Sequence, residues 1–256
     1  MVFIDSVDDT VSACIKLWPR SFSLSAYKAV LEQRNTLNAF INSIIRTSVG
    51  MSIATAVTFG AAYALSKKRI PFNRLMTAYI IIPMFFGGGL IPFYLHMRNL
   101  GLMDSIWALI LPGVFSGFNI LVTRNYILSI PAELEESALL DGANEVIICL
   151  RIFLPLSLPI IATITLWSAV SHWNSWFDGM IFIQTPSKQV LQVLLRRVLM
   201  EAQLSEAFDD LGSMVQMTPL TIRSALLFIS TIPILVTYPF AQKYFIRGLT
   251  AGAIKG

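Results

Sequence analysis

The chain has 256 residues, 55% of them hydrophobic and 13% charged, with a formal net charge of +4. That length allows one or two soluble domains, but so little charge and a positive mean hydropathy are membrane values. The mild positive charge gathers at the ends of apolar stretches and implies no nucleic-acid binding, and neither Cys14 nor Cys149 has a ligand neighbour at metal-site spacing.

In chain order, residues 1–37 show no span and open with MVFIDSVDDT, where a cleavable signal would need a basic start and an apolar run. They read as an extracytoplasmic segment ending in a surface helix, with Trp18 and Tyr27 suited to the interface. Residues 38–256 read as a membrane domain. Its first clear span, 44–65, is long enough for a hydrocarbon core and rich in Gly and Ala, with Arg46 near the outer end in reach of water by snorkelling. Ser66-Lys67-Lys68-Arg69 ends it. The second, 75–95, is interrupted by Pro83, Gly87-Gly88-Gly89 and Pro92. Those glycines need protein or a wet cavity beside them, so Gly87 and Gly88 are either a tightly packed kink or part of a solute pathway. The third, 106–128, carries Asn119, a second polar candidate for the pathway.

Between the third and fourth spans lies an acidic loop, 129–151, with Glu133, Glu135, Glu136, Asp141 and Glu145 and no basic residue before Arg151. Pro131 suits a first helical position, and the glutamates that follow suit the positive end of the helix dipole. Leu134, Ala138 and Gly142 recur every four residues and predict a narrow stripe that admits another backbone. The loop reads as a docking helix; a plain amphipathic helix ended by Gly142 is the other reading.

The fourth span, 152–183, has an outer half, WSAVSHWNSWFDGM, in which Trp167, His172, Trp173 and Asn174 mix rings with hydrogen-bonding groups. A sugar-binding surface needs that mixture, and an interfacial aromatic belt explains the tryptophans equally well. An outer loop, 184–222, contains a helix-periodic stretch, QVLQVLLRRVLMEAQL, and a fifth span, 224–240, leads to a basic, Gly-rich tail, 243–256. Five spans with the acidic loop and tail inside place residues 1–37 outside without an export signal. Lys and Arg number nine in the inner segments and eight in the longer outer ones, which leans the same way. A further span ahead of Met1 would remove the conflict. On this topology Cys14 and Cys149 lie on opposite sides of the bilayer, so no disulfide is expected.

One spacing is specific. Glu136-Ser137-Ala138, three residues, Gly142, nine residues, then Ile152-x-Leu154-Pro155 resembles the Glu-Ala-Ala signature loop of bacterial ABC importer permeases, with Ser137 in place of the first alanine as the single departure. GLMDSIWALILP, RNYILSIPAELEESALLDGA, HWNSWFDGMIFI and QKYFIRGLTAGAIKG extend the resemblance to most of the chain. They look like carbohydrate-importer permeases similar to the maltose system's smaller permease, closest to oligo- and polysaccharide (alginate- or aldouronate-type) importers.

The resemblance implies an all-α integral membrane protein of the six-span type I permease class, with the first span missing here. It implies a bacterial plasma-membrane location, a heterodimer with a second permease, two cytoplasmic ATPase subunits and an extracytoplasmic solute-binding protein that delivers a saccharide. By the same resemblance Glu133, Glu135, Glu136, Ser137, Ala138, Asp141, Gly142 and Ala143 would meet an ATPase cleft. Gly248, Gly252 and Lys255 of the tail would reach between the ATPases.

The residues support that division of labour. No phosphate-cradling Gly-x-x-x-x-Gly-Lys-Ser/Thr occurs, so ATP and Mg belong to the partners and the chain itself needs no cofactor. The spans hold no carboxylate but Asp178, near an outer end, whereas an ion-driven carrier places acids at mid-membrane. An intramembrane enzyme finds no nucleophile motif, His-Glu-x-x-His or paired carboxylates here, so no catalytic or metal-binding residue is assigned. A permease for a non-sugar solute stays open.

Overall fold

A computed structural model describes residues 27–28, 34–67, 69–208 and 224–236. All regular structure among the described residues is helical, without a strand. They run through α1 (Arg34–Ser66), α2 (Asn73–Phe85), α3 (Leu90–Asn99), α4 (Trp107–Val114), α5 (Gly117–Leu128) and α6 (Glu133–Leu140). Then come α7 (Glu145–Leu156), α8 (Leu158–Asn174), α9 (Phe177–Phe182), α10 (Leu191–Phe208) and α11 (Ser224–Val236).

The helix expected at 44–65 starts ten residues earlier. At 1.5 Å per residue α1 is about 50 Å long, well beyond a hydrocarbon core of about 30 Å. It ends where side chains take its last carbonyls: Asn73 Nδ2 donates to Leu65 O at 2.9 Å and to Lys67 O at 3.0 Å, and Arg124 Nε donates to Leu65 O at 2.9 Å. Among the described residues α1 alone is long and apolar enough to cross a bilayer unaided. Three further pairs of helices are long and apolar enough only when the two members of each are taken together across a bend, and α11 is a shorter apolar helix.

The breaks correct two expected spans. The stretch 75–95 is not one helix, because α2 and α3 meet at 116° across the extended link that holds Gly87, Gly88 and Gly89. The stretch 152–183 is three pieces. α7 contains a π-helical turn, Cys149–Phe153, just ahead of Pro155, which has no N–H to give the Arg151 carbonyl. α7 and α8 then meet at 79°, α8 stops at Asn174, and α9 follows a short break. α4 and α5 bend by 44° at Phe115-Ser116, where the Ser116 hydroxyl caps α5 by accepting from Asn119 N.

The described fold divides into two compact units. One holds the described residues up to 46, those of 102–109 and those from 173 onward, the other the described residues of 47–101 and 110–172. In the first, Trp173, Leu191, Leu195, Ala225 and Leu226 form the core, with Phe40 edge-on to Trp173. Arg46 lies here, and it does not snorkel. It is 2% exposed, its Nη2 pairs with Asp178 Oδ2, and its Nη1 donates to Ser175 O at 2.9 Å. Asp178 Oδ1 also accepts from Ser175 Oγ at 2.8 Å and Gly179 N at 2.9 Å. A buried guanidinium held this way needs no route to water. In the second unit the core is Phe59, Tyr63, Leu65, Ile80, Ile120, Ile127, Ile148 and Phe153, and α6 and α7 pack on it.

Candidate functional site

The acidic loop folds as a short, sharply bounded helix. Pro131 lies outside it, one residue before the Ala132 cap, so the first-turn position expected for Pro131 goes to Glu133. Glu133, Glu135 and Glu136 occupy the first turn, where the helix dipole favours them. At the other end Ala143 N donates to Ala138 O and Gly142 N to Leu139 O, both at 3.0 Å, with Gly142 at φ 77°. This is a Schellman stop, which requires a left-handed residue at that position. Asn144 Oδ1 then caps α7 by accepting from Ile147 N at 2.9 Å.

The faces of α6 differ from those the four-residue spacing suggested. Ala138, Leu139 and Ala143 are half-buried against the core, so Ala138 does not belong to an outward stripe with Leu134 and Gly142. The outward face carries Glu133, Glu136, Ser137, Asp141 and Gly142 beside Leu134 and Leu140. Leu140, 89% exposed, is a residue that sequence reasoning missed, as are Val146 and Leu150 on α7. Nothing in an apolar residue at a loop marks it as outward, so no signal was available. Glu135 departs too: its carboxylate is 2.7 Å from Lys67 Nζ, within this chain.

The residues expected around a solute pathway are not alike. Gly87 and Gly88 lie exposed on the α2–α3 link, with no described residue of this chain within 4 Å of where a Cβ would stand. Asn119 is half-buried in the first turn of α5, and Trp167 is partly exposed with its ring 5.9 Å from Phe118. His172 and Trp173 are corrected. The His172 ring fills the space beside Gly50 and Gly113, where an added Cβ would come within 2.6 Å of it. Trp173 is 5% exposed and its Nε1 donates to Ser230 O at 3.0 Å. Both are buried side chains in this structure, not the exposed rings that were expected. Asn174 is exposed. Gly248, Gly252 and Lys255 lie outside the described residues.

A charged helix of this kind, set between membrane crossings and ended by a glycine, accords with the family that residues 47–251 match, described as "Binding-protein-dependent transport system inner membrane component". The chain belongs to this family. It is therefore a permease subunit of the inner membrane.

It covers most of the length of the relatives it matches. It is 39% identical over 240 residues to Protein LplC of Bacillus subtilis, covering 94% of this chain and 81% of LplC. It is 36% identical over 252 residues to the polygalacturonan/rhamnogalacturonan transport system permease protein YtcP of the same organism, covering 98% and 88%. A crystal structure of a bacterial ABC transporter involved in the import of the acidic polysaccharide alginate contains a chain 34% identical to this one. The TM-score is 0.85, over 95% of this chain and 88% of that one.

One loop of the permease is clipped by a single carboxylate. Asp104 accepts from Gln184 N at 3.1 Å, Thr185 N at 2.9 Å, Thr185 Oγ1 at 2.7 Å and Lys188 Nζ at 2.8 Å. The Lys188 ammonium first, then the Thr185 and Gln184 donors, hold its carboxyl below the usual 3.8. With the folded value depressed, the clip contributes its full stability above pH 3.8 and loses it as pH falls through the folded value. Hydrogen exchange, corrected for intrinsic rates, should keep the Gln184 and Thr185 amides protected down to pH 3.8. Asp104→Asn should expose both at neutral pH.

Proposed function

We propose that the permease imports an oligo- or polysaccharide delivered by an extracytoplasmic binding protein, and that α6 is where two cytoplasmic ATPase subunits drive it. A second permease subunit completes the pathway. ATP and Mg are bound by the ATPases, and this chain catalyses no reaction of its own.

The observation that carries the reading is the outward face of α6. Glu133, Glu136 and Asp141 stand there beside Leu134 and Leu140, on a helix with the Glu-Ser-Ala…Gly…Ile-x-Leu-Pro spacing. Exposed acids around a large exposed leucine suit a basic groove with an apolar floor. ATP-driven closure of the partners then moves α6 as a lever, and the broken helices behind it switch between inward- and outward-facing arrangements. For the solute class, the similarity to YtcP and to a transporter of alginate supports a polymer of sugar acids.

The test is uptake into vesicles that hold both permeases, the ATPases and the binding protein. Labelled oligogalacturonate should enter in an ATP-dependent way, with a neutral maltooligosaccharide and an amino acid entering poorly. Preferred uptake of the amino acid would replace the saccharide reading with a non-sugar one.

A further inference from the structure

We infer that Lys67 is the positioning residue that carries movement of α6 into the spans, an inference that rests on α6 being the ATPase contact. Lys67 follows the last residue of α1, and its side chain is 12% exposed. Its ammonium lies 4.3 Å from the centre of the Tyr63 ring and 4.4 Å from that of Phe153. It is 2.7 Å from the Glu135 carboxylate of α6 and 4.0 Å from that of Glu145 on α7. The Tyr63 hydroxyl closes the ring of contacts by donating to Glu145 Oε2 at 3.0 Å. One cation thus touches α1, α6 and α7 at once.

Two further observations make this a linkage rather than an incidental ion pair. The backbone of Lys67 is itself held, because Asn73 at the start of α2 donates to its carbonyl, and Arg124 of α5 donates to Leu65 O beside it. A cavity of about 650 Å³ opens next to the cage, with Tyr63, Ser66, Arg69 and Ile127 on one side and Ala132 and Glu136 on the other. Across that opening the first turn of α6 is tied to α1, among the described residues, by the Lys67–Glu135 pair. A pull on α6 that shifts Glu135 therefore acts on the end of α1 through Lys67. With the Lys67 side chain 12% and the Glu135 side chain 22% exposed, the ring contacts and this ion pair are screened less than on an open surface. The opening leaves space for α6 to move.

The experiment uses the complete transporter in vesicles, with labelled oligogalacturonate as the solute and both ATP hydrolysis and uptake measured. Lys67→Met should leave the ATPase subunits bound and hydrolysing. It should raise the ATP consumed per solute imported by roughly tenfold, the factor equivalent to about 1.4 kcal/mol of lost coupling. Lys67→Arg, which keeps the charge and stacks on the same rings, should restore the ratio to near that of the unaltered protein. An unchanged ratio in Lys67→Met overturns the inference, as does equal impairment in Met and Arg. Loss of the ATPase subunits from Lys67→Met also overturns it, by making Lys67 part of docking. Failure of the underlying reading looks different: Glu136 and Gly142 variants would bind ATPases normally, whatever happens at Lys67.

Discussion

Arg46→Met is expected to destabilise the protein by about 3–5 kcal/mol, the range for breaking a buried ion pair from one side, with the lower end favoured here. The substitution removes the guanidinium that is 3% exposed but keeps much of its volume, so the change is electrostatic rather than a large cavity. What remains is the Asp178 carboxylate, 21% exposed and still accepting from Ser175 and Gly179, but without its cation. That residual contact with solvent is why the lower end is favoured. Arg46→Met combined with Asp178→Asn should recover most of the loss, since the orphaned charge is what costs and not the missing attraction. Thermal unfolding of the detergent-solubilised protein is the measurement. A double variant no more stable than Arg46→Met would mean that the guanidinium matters through Ser175 O instead of Asp178.

The Arg46–Asp178 pair marks where sequence reading stops. The two residues are 132 positions apart, and Arg46 taken alone, near the end of an apolar run, reads as a snorkelling charge. Lys67 and Glu135 repeat the lesson at 68 positions apart. A lysine in Ser66-Lys67-Lys68-Arg69 reads as part of a charged span end, and Glu135 reads as an acid without a partner. Pairing of distant charges depends on which helix ends meet, and local composition says nothing about that. Helix existence and apolar character were legible, because both follow from composition and period over a window of residues. The breaks were legible as proline and glycine positions, but their angles were not. A Gly-Gly-Gly run permits 116° and equally permits a modest kink.

Faces were the harder part. A spacing of four places Leu134, Ala138 and Gly142 on one side of an ideal helix, yet α6 has only eight residues and its far end is wound into a Schellman turn. Within so short a helix, the packing of Leu139 and Ala143 decides which side turns inward. The burial of His172 and Trp173 was hidden for a related reason. Polar and aromatic residues near the end of a crossing suit a solute surface and a satisfied core equally. The small neighbours Gly50 and Gly113 that admit the His172 ring are 122 and 59 positions away from it in sequence. The signature spacing around Glu136 and Gly142 was legible because it needs no tertiary information at all.

Gly142 is where loss of ATPase docking should be easiest to produce, and two effects there need separating. Its φ of 77° lies in the left-handed region, where a Cβ costs about 1–2 kcal/mol and Asn is a tolerated exception. Among the described residues, beyond its chain neighbours, no atom stands within 4 Å of where that Cβ would be, so no clash with them adds to the cost. Gly142→Ala therefore reports on the helix stop, and Gly142→Asn adds a side chain into the open space at little conformational cost. If an ATPase subunit occupies that space, Gly142→Asn should weaken docking by overpacking. The typical ~1–3 kcal/mol corresponds to roughly ten- to a hundredfold in affinity at ~1.4 kcal/mol per tenfold. Gly142→Trp should combine both effects and lie at or beyond the upper end of that range. The spans themselves should keep their stability in all three variants, because Gly142 lies at the exposed end of α6, outside the core that Ala138, Leu139 and Ala143 touch. Pull-down of the ATPase subunits, with uptake measured in parallel, separates the cases. Normal binding by Gly142→Asn together with weakened binding by Gly142→Ala would make this glycine a helix terminator and nothing more. The contact on α6 would then centre on Leu140, the last residue of the helix, and Glu136, about one turn before it.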